Sequence, residues 1–326
     1  MFWNSSRIDG ADDRAEGGQG DGDVAAGPRL GIAFGSGAAR GWAHIGVIQR
    51  LAEAGIGPDV VAGTSIGALV AGCHMAGKLP ELEEFARSLN RRRVFGLLDI
   101  SWRGSGLIGG SRLTDLLNDQ IGDTRIESLP RPLICIATEL ATGHELWLKQ
   151  GPLVEAMRAS YALPGVFQPV YLNRRWLIDG AVVNPIPVSA CRAMGARVVI
   201  AVNLNTDAFG SGTVIQAPHP ARDGSQPSGV PNSALRALDS LVPDKPSITA
   251  VLVAAFNISQ DRLARSRMAG DPPDITIAPR AADIGIFDFD RAADSIRLGR
   301  EAAESALPNI ESLMDAFDRA DFDPDR

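Results

Sequence analysis

The chain has 326 residues, of which 45% are apolar and 22% charged, and its formal net charge is −7. That balance belongs to an ordinary globular protein with enough apolar sequence for a large core. The acidic charge disfavours nucleic acid as a partner, and it disfavours constitutive adsorption to anionic lipid unless a local basic patch provides for it.

Residues 1–28 are rich in Gly and Asp and lack a basic segment followed by an apolar one, so they read as a disordered tail and not as a signal peptide. Residues 29–34 form a short apolar strand ending in a glycine turn. Residues 40–54 follow with helical periodicity, placing Trp42, Ile45, Val47, Ile48 and Leu51 on one side, with Gly55 as a natural stop. A strand over 59–62 and a helix over 66–76, stopped by Gly77, complete a strand–helix–strand–helix run, the pattern of a parallel sheet with crossover helices. Residues 60–77 carry no formal charge, and Gly63 to Gly67 spells GxxxG. Four glycines, a Thr, a Ser and a His nevertheless break this stretch into strand, turn and helix. A membrane span needs roughly 20 mostly large apolar residues.

A strong strand covers 133–140 and a second 144–148, with Ala141-Thr142-Gly143 between them as a hairpin turn. A helix over 152–160 precedes a strand over 176–178 that ends at Asp179-Gly180. A helix over 187–194 stops at Gly195, and a strand over 197–202, apolar after its Arg, suits a buried sheet position. From 205 to 246 the chain turns dense in Pro, Gly, Ser and Asp, and is expected to be mostly a mobile insertion or active-site cover. Regular structure resumes with a helix over 248–268, a strand over 275–278 and two amphipathic helices over 289–306 and 310–317. No internal repeat is visible. Cys73, Cys135 and Cys191 are far apart, each in an apolar run, and are expected to be buried free thiols in a reducing, cytoplasmic setting. No CxxC or Cys/His spacing suggests a metal.

The residues with chemical promise begin with Gly63-Thr64-Ser65-Ile66-Gly67. This GxSxG sequence stands between a strand and a helix, the context in which a nucleophilic Ser is presented on a strained turn that needs small residues two before and two after it. Ser65 then starts a helix, where free amides and the dipole favour developing negative charge. The rival reading is a glycine-rich turn whose Ser only caps the helix.

A triad needs a histidine, and the chain has His44, His74, His144 and His219. His74 lies nine residues beyond Ser65 on the same helix, about half a turn away in projection, so it faces the opposite side. His44 sits among apolar residues and suits a packing role, His144 lies at a hairpin edge, and His219 falls in the Pro-rich segment. Asp179 is the better base: it ends a strand, and a carboxylate against apolar sequence gains basicity through desolvation. It could equally be an ordinary Asp-Gly turn residue.

Gly35-Ser36-Gly37-Ala38-Ala39-Arg40-Gly41 follows the first strand and offers successive unobstructed amides for an oxyanion. It is a poor dinucleotide fingerprint. The sixth position from Gly35 is Arg40, Gly41 comes one residue late, and the next strand leads to a Ser turn in place of a ribose-binding carboxylate.

Together these three motifs resemble the patatin-like phospholipases. The resemblance extends to Arg40-Gly41-Trp42-Ala43-His44-Ile45-Gly46-Val47, to the Ala-Ser-x-x-x-Pro segment at Ala159-Ser160-Tyr161-Ala162-Leu163-Pro164, and to Asp179-Gly180-Ala181-Val182-Val183-Asn184-Pro185. It covers about residues 29–205 and, more weakly, 248–290, and is nearest to the compact bacterial branch related to the neuropathy target esterase domain. The resemblance implies an α/β fold in three layers, α/β/α, around a mostly parallel sheet. It implies one catalytic domain over 29–320, with the insertion at about 206–246 and a tail at 321–326. It further implies a Ser–Asp dyad without histidine, with Ser65 as nucleophile and Asp179 as general base. Gly63 and Gly67 would shape the elbow, and Gly180 and Ala181 complete the acid motif. Amides around Gly37 and Ala38 would form the oxyanion site, within a loop of Gly35, Ser36, Gly37, Ala38, Arg40 and Gly41. Ser36 and Ala38 depart from the all-glycine loop of many members. The substrate implied is a phospholipid, lysophospholipid or other fatty acyl ester, with no metal or cofactor and with peripheral membrane contact compatible. A conventional Ser-His-Asp esterase using His219, and a non-catalytic module on the same fold, remain the alternatives.

Overall fold

The computed structural model describes residues 30–90, 111–205 and 248–321. The proposed tails and the 206–246 insertion, with His219, lie outside these, apart from Asp321 at the end of the last helix. The described chain runs β1 (Leu30–Phe34), α1 (Ala43–Glu53), β2 (Val60–Thr64), α2 (Ile66–Met75), α3 (Leu79–Ser88) and α4 (Ser111–Ile121). Then come β3 (Leu133–Glu139), β4 (Glu145–Leu148), α5 (Leu153–Ser160), β5 (Val170–Leu172), β6 (Arg175–Asp179), α6 (Val188–Ala193), β7 (Val198–Val202), α7 (Ile248–Gly270), β8 (Ile275–Ile277) and α8 (Ala292–Asp321).

One mixed sheet of eight strands organises them, with β3, β2, β1, β7 and β8 parallel. Its central strands β1, β2, β3 and β7 are buried on both faces because helices cover both, which is why they are almost wholly apolar. Leu30, Ile32 and Phe34 point into the larger core with residues of α1, α2, α5 and α8. Ala33, Val60, Ala62, Ile134 and Ile136 point the other way, against Val188 and Cys191 of α6 and Ala264 of α7. This is the α/β/α sandwich expected from the sequence. All three cysteines are free and buried. Among the described residues, no helix is long and apolar enough to cross a membrane.

Two expectations change. The two helices expected over 289–306 and 310–317 are one helix, α8, that continues through Pro308 after a short 3-10 turn at Phe289–Arg291. Proline removes one backbone donor, a cost of about 3 kcal/mol in a helix interior. Here Leu307 and Ile310 on either side are buried at 6% and 1% exposure, so packing of the whole helix outweighs the lost bond. The second change concerns β6, whose end carries Asp179. It is antiparallel to β3, with Ala137 opposite Asp179 and Glu139 opposite Leu177.

That reversal positions the site. Cys135 and Ile136 pair with both β2 and β4, whereas Ala137 and Thr138 pair with both β4 and β6. A strand has two edges, so β2 and β6 share one edge of β3, end to end. Thr64, the last residue of β2, lies opposite Ile136, and Asp179, the last of β6, lies opposite the next residue, Ala137. The two strands run toward each other, and Ser65 leaves the sheet where Asp179 arrives.

Candidate active site

Ser65 occupies the turn between β2 and α2 with φ 58° and ψ −125°, a left-handed conformation rare for a residue with a side chain. Its neighbours make the turn feasible. A Cβ on Gly63 would lie 2.6 Å from the Ala68 amide nitrogen, and one on Gly67 would run into the Phe34 carbonyl oxygen and come within 2.6 Å of that of Gly35. Only glycine lets α2 leave β2 this sharply while touching the end of β1. The Ser65 side chain makes no capping bond to its helix. Its hydroxyl donates instead to Asp179 Oδ2 at 2.7 Å. A helix-capping Ser would direct its oxygen at the helix amides, and this one does not.

Asp179 is held from several sides. Its Oδ1 accepts from the Ala181 amide at 2.8 Å, and its carbonyl accepts from Thr138 Oγ1 at 2.9 Å. Gly180 lies so close to the Ile136 carbonyl that a side chain there would overlap it. The carboxyl is 1% exposed. Burial pushes its pKa up from 3.8 to about 7, against the pull of the hydrogen bonds from Ser65 and Ala181. Such a carboxyl can both take and return a proton near neutral pH. Asp179 is thus both a turn cap and the partner of Ser65.

The glycine loop lies beside them. Gly35 N donates to Val202 O, Ser36 N to Pro185 O, Ala39 N to Ile286 O and Arg40 N to Gly37 O. Ser65 N is also engaged, with Ser160 Oγ at 2.9 Å. The amides of Gly37 and Ala38 have no acceptor among the described residues, and Ala38, held at φ 49°, lines the same pocket as Ser65. Within the loop, those two amides are donors without a partner. Arg40 anchors the loop through Nε to Ile284 O at 2.9 Å, while Ser295 Oγ donates to Arg40 O. Burial lowers the Arg40 pKa, and Asp288 opposes that fall. Ser36 Oγ donates to the buried Gln260 of α7. Gly41 leaves room for Ile66, the residue after Ser65.

A family model described as patatin-like phospholipase matches residues 32–192, a span that contains the loop, Ser65 and Asp179. An NTE family protein of Mycobacterium tuberculosis, named as uncharacterized, is 32% identical, with the match covering 87% of this chain and 92% of that relative. This chain belongs to the patatin-like phospholipase family. A patatin-like phospholipase domain-containing protein of Caenorhabditis elegans is 33% identical over 56% of this chain and 14% of its own length. Among solved structures, that of VipD from Legionella pneumophila covers 86% of this chain and 67% of that one, at 13% identity and a TM-score of 0.45.

In this patatin-like chain none of the three described histidines bonds to Ser65. His44 is fully buried, edge-on to Phe34, with Nε2 2.7 Å from Gly35 O. Burial pushes its pKa down to about 4, with the Gly35 bond resisting, so it is neutral and steadies the loop. His74 is half-buried near the end of α2 and lines a separate cavity with Leu51 and Ile56, and His144 is exposed at the β3–β4 hairpin. Among the described residues no cluster of three His, Cys, Asp or Glu side chains could hold a metal ion.

An apolar pocket adjoins Ser65, bounded by Ile66 and Leu69 of α2, Phe85 of α3, Leu163 and Phe167 before β5, and Phe287 and Phe289 before α8. Sequence reasoning missed Phe85, because α3 was not assigned, and it gave no role to Ser160. Ser160 is fully buried at the end of α5, and the one signal that could have singled it out is the Ala-Ser-x-x-x-Pro resemblance.

Proposed function

We propose that this chain is a serine lipid acyl hydrolase that cleaves fatty acyl esters, phospholipid or lysophospholipid, through a Ser65–Asp179 dyad within one catalytic domain over about residues 29–320. The observation that carries the reading is the 2.7 Å bond from Ser65 Oγ to a buried carboxyl whose pKa lies near 7, with every described histidine elsewhere. Ser65 Oγ attacks the acyl carbonyl as its proton passes to Asp179. The carbonyl oxygen takes the negative charge and is met by the Gly37 and Ala38 amides. Collapse expels the alcohol, which leaves with the proton from Asp179, and the acyl group stays on Ser65. Water then attacks the acyl-enzyme, again giving its proton to Asp179, and release of the fatty acid returns that proton to Ser65. No step calls for a metal. The apolar pocket beside Ser65 supports an acyl chain as the group held there.

The exposed aromatic pair Tyr171 and Trp176, with ring centroids 4.9 Å apart, supports peripheral contact with a lipid bilayer. The β5–β6 hairpin that carries it overhangs the end of β3 on the same side as Ser65, next to exposed Leu140 and Arg174. Trp and Tyr favour the boundary between water and hydrocarbon. Flotation with phosphatidylcholine vesicles should recover the wild type and lose the Tyr171→Ser/Trp176→Ser double variant; failure of the wild type to float with any lipid mixture refutes the contact.

The function is tested by hydrolysis of p-nitrophenyl and phospholipid esters by wild type, Ser65→Ala, Asp179→Asn and His219→Ala. The dyad predicts activity that rises with pH through about 7 in wild type and His219→Ala, and none in the other two. Loss of activity in His219→Ala would favour a conventional triad.

A further inference from the structure

The dyad bond from Ser65 to Asp179 spans a gap in the sheet. β2 pairs with β1 and β3, and β6 pairs with β3 and β5, so no ladder bond joins the two strands whose ends carry the dyad. Something else must fix their spacing if Ser65 Oγ is to stay in line with Asp179 Oδ2.

The residue before Ser65 supplies such a link. β2 reads Val60-Val61-Ala62-Gly63-Thr64, and its last residue is fully buried. Val at position 64 would fill the same space and need no partner, whereas a buried hydroxyl is costly unless it is bonded. Thr64 Oγ1 donates to the Asn184 carbonyl at 2.8 Å.

Asn184 closes the loop that Asp179 opens. The amides of Val183 and Asn184 both donate to Gly180 O, at 3.1 and 2.9 Å, so the loop is a compact turn with its ends at a set distance. Asn184 is 1% exposed, and its Nδ2 donates to Glu145 Oε1 of β4 at 2.8 Å. The next carbonyl, that of Pro185, accepts from Ser36 N of the glycine loop at 2.9 Å. Asn184-Pro185 therefore touches both the strand that presents Ser65 and the loop that contains the Gly37 and Ala38 amides.

We infer that Thr64 is a positioning residue for the dyad, its hydroxyl holding the Asp179–Asn184 loop at the distance that keeps Ser65 and Asp179 bonded; this rests on the acyl hydrolase reading above. Thr64 acts through its neighbours, since it is buried and does not line the pocket beside Ser65. Removing the hydroxyl strands the Asn184 carbonyl and frees the loop to shift. Rates are sensitive to small misplacements of reacting groups, and the loss in kcat is about tenfold. KM, which reads the pocket, is little changed.

The test measures kcat and KM for p-nitrophenyl butyrate with wild type, Thr64→Ser, Thr64→Ala and Thr64→Val. Active sites are counted by fluorophosphonate titration taken to completion, so that misfolded protein does not enter kcat. Thr64→Ser should keep most of the wild-type kcat, while Thr64→Ala and Thr64→Val fall about tenfold per titrated site with KM little changed. Ser and Ala differ by the hydroxyl alone, so their ratio reads the bond even where Thr64→Val fails to fold. Equal kcat per site in Thr64→Ala and Thr64→Ser, or a loss confined to KM or to the number of sites, overturns the assignment and leaves the hydrolase reading intact. No turnover of any ester by the wild type overturns both.

Discussion

Replacing Asp179 with Asn should stabilise this protein at alkaline pH while leaving it nearly unchanged in acid. The carboxyl is 1% exposed, and burial raises its pKa from 3.8 to about 7 despite the Ser65 and Ala181 hydrogen bonds. Below about 3.8 it is protonated in both the folded and unfolded chain and contributes nothing to the pH dependence. Between 3.8 and about 7 the unfolded chain has lost the proton and the folded chain keeps it, so stability falls as pH rises. Above about 7 the full cost of a buried charge applies. At ~1.4 kcal/mol per pH unit the interval corresponds to about 4 kcal/mol. Asn keeps the shape and, through its Oδ1, the acceptor for Ala181 N, and its amide can donate to Ser65 Oγ. Urea denaturation of both proteins at about pH 4 and about pH 8.5 reads the difference directly, with other titrating groups cancelling. The variant should gain several kcal/mol relative to wild type between the two conditions. Parallel pH curves, or a variant that loses ground as pH rises, would refute the reasoning.

Three further outcomes follow from the same geometry. Gly67→Ala places a methyl group against the Phe34 and Gly35 carbonyl oxygens and should cost about 3 kcal/mol, seen as a large drop in Tm. Ser160→Ala leaves the Ser65 amide without its acceptor; kcat should fall about tenfold or more with KM little changed, because Ser160 does not line the pocket. Burial pushes the thiols of Cys73, Cys135 and Cys191 up to about 12, so Ellman's reagent should find none of them in the native protein and all three in urea.

Much of the sheet was legible because β1, β2, β3 and β7 are short apolar runs punctuated by glycine, and both faces of each strand are buried. The elbow was legible for a local reason: Gly63 and Gly67 are needed by contacts that Ser65 itself imposes on the chain. The direction of β6 was not, since Arg175–Asp179 carries the same pattern whichever way it pairs, and its antiparallel register depends on partners dozens of residues away. The continuity of α8 was not legible, since Pro308 is a local breaker and what holds the helix together across it is the tertiary burial of Leu307 and Ile310. Ser160 was invisible as a site residue because its role is to hold a backbone amide, and no spacing between Ser65 and Ser160 announces that.

The most direct test of the dyad is labelling with a fluorophosphonate probe, located by peptide mass spectrometry, in wild type, Ser65→Ala and Asp179→Asn. The geometry at Ser65 predicts one modified residue, Ser65, in the wild type and no labelling of either variant. Labelling of Ser65→Ala as strong as that of the wild type would contradict it.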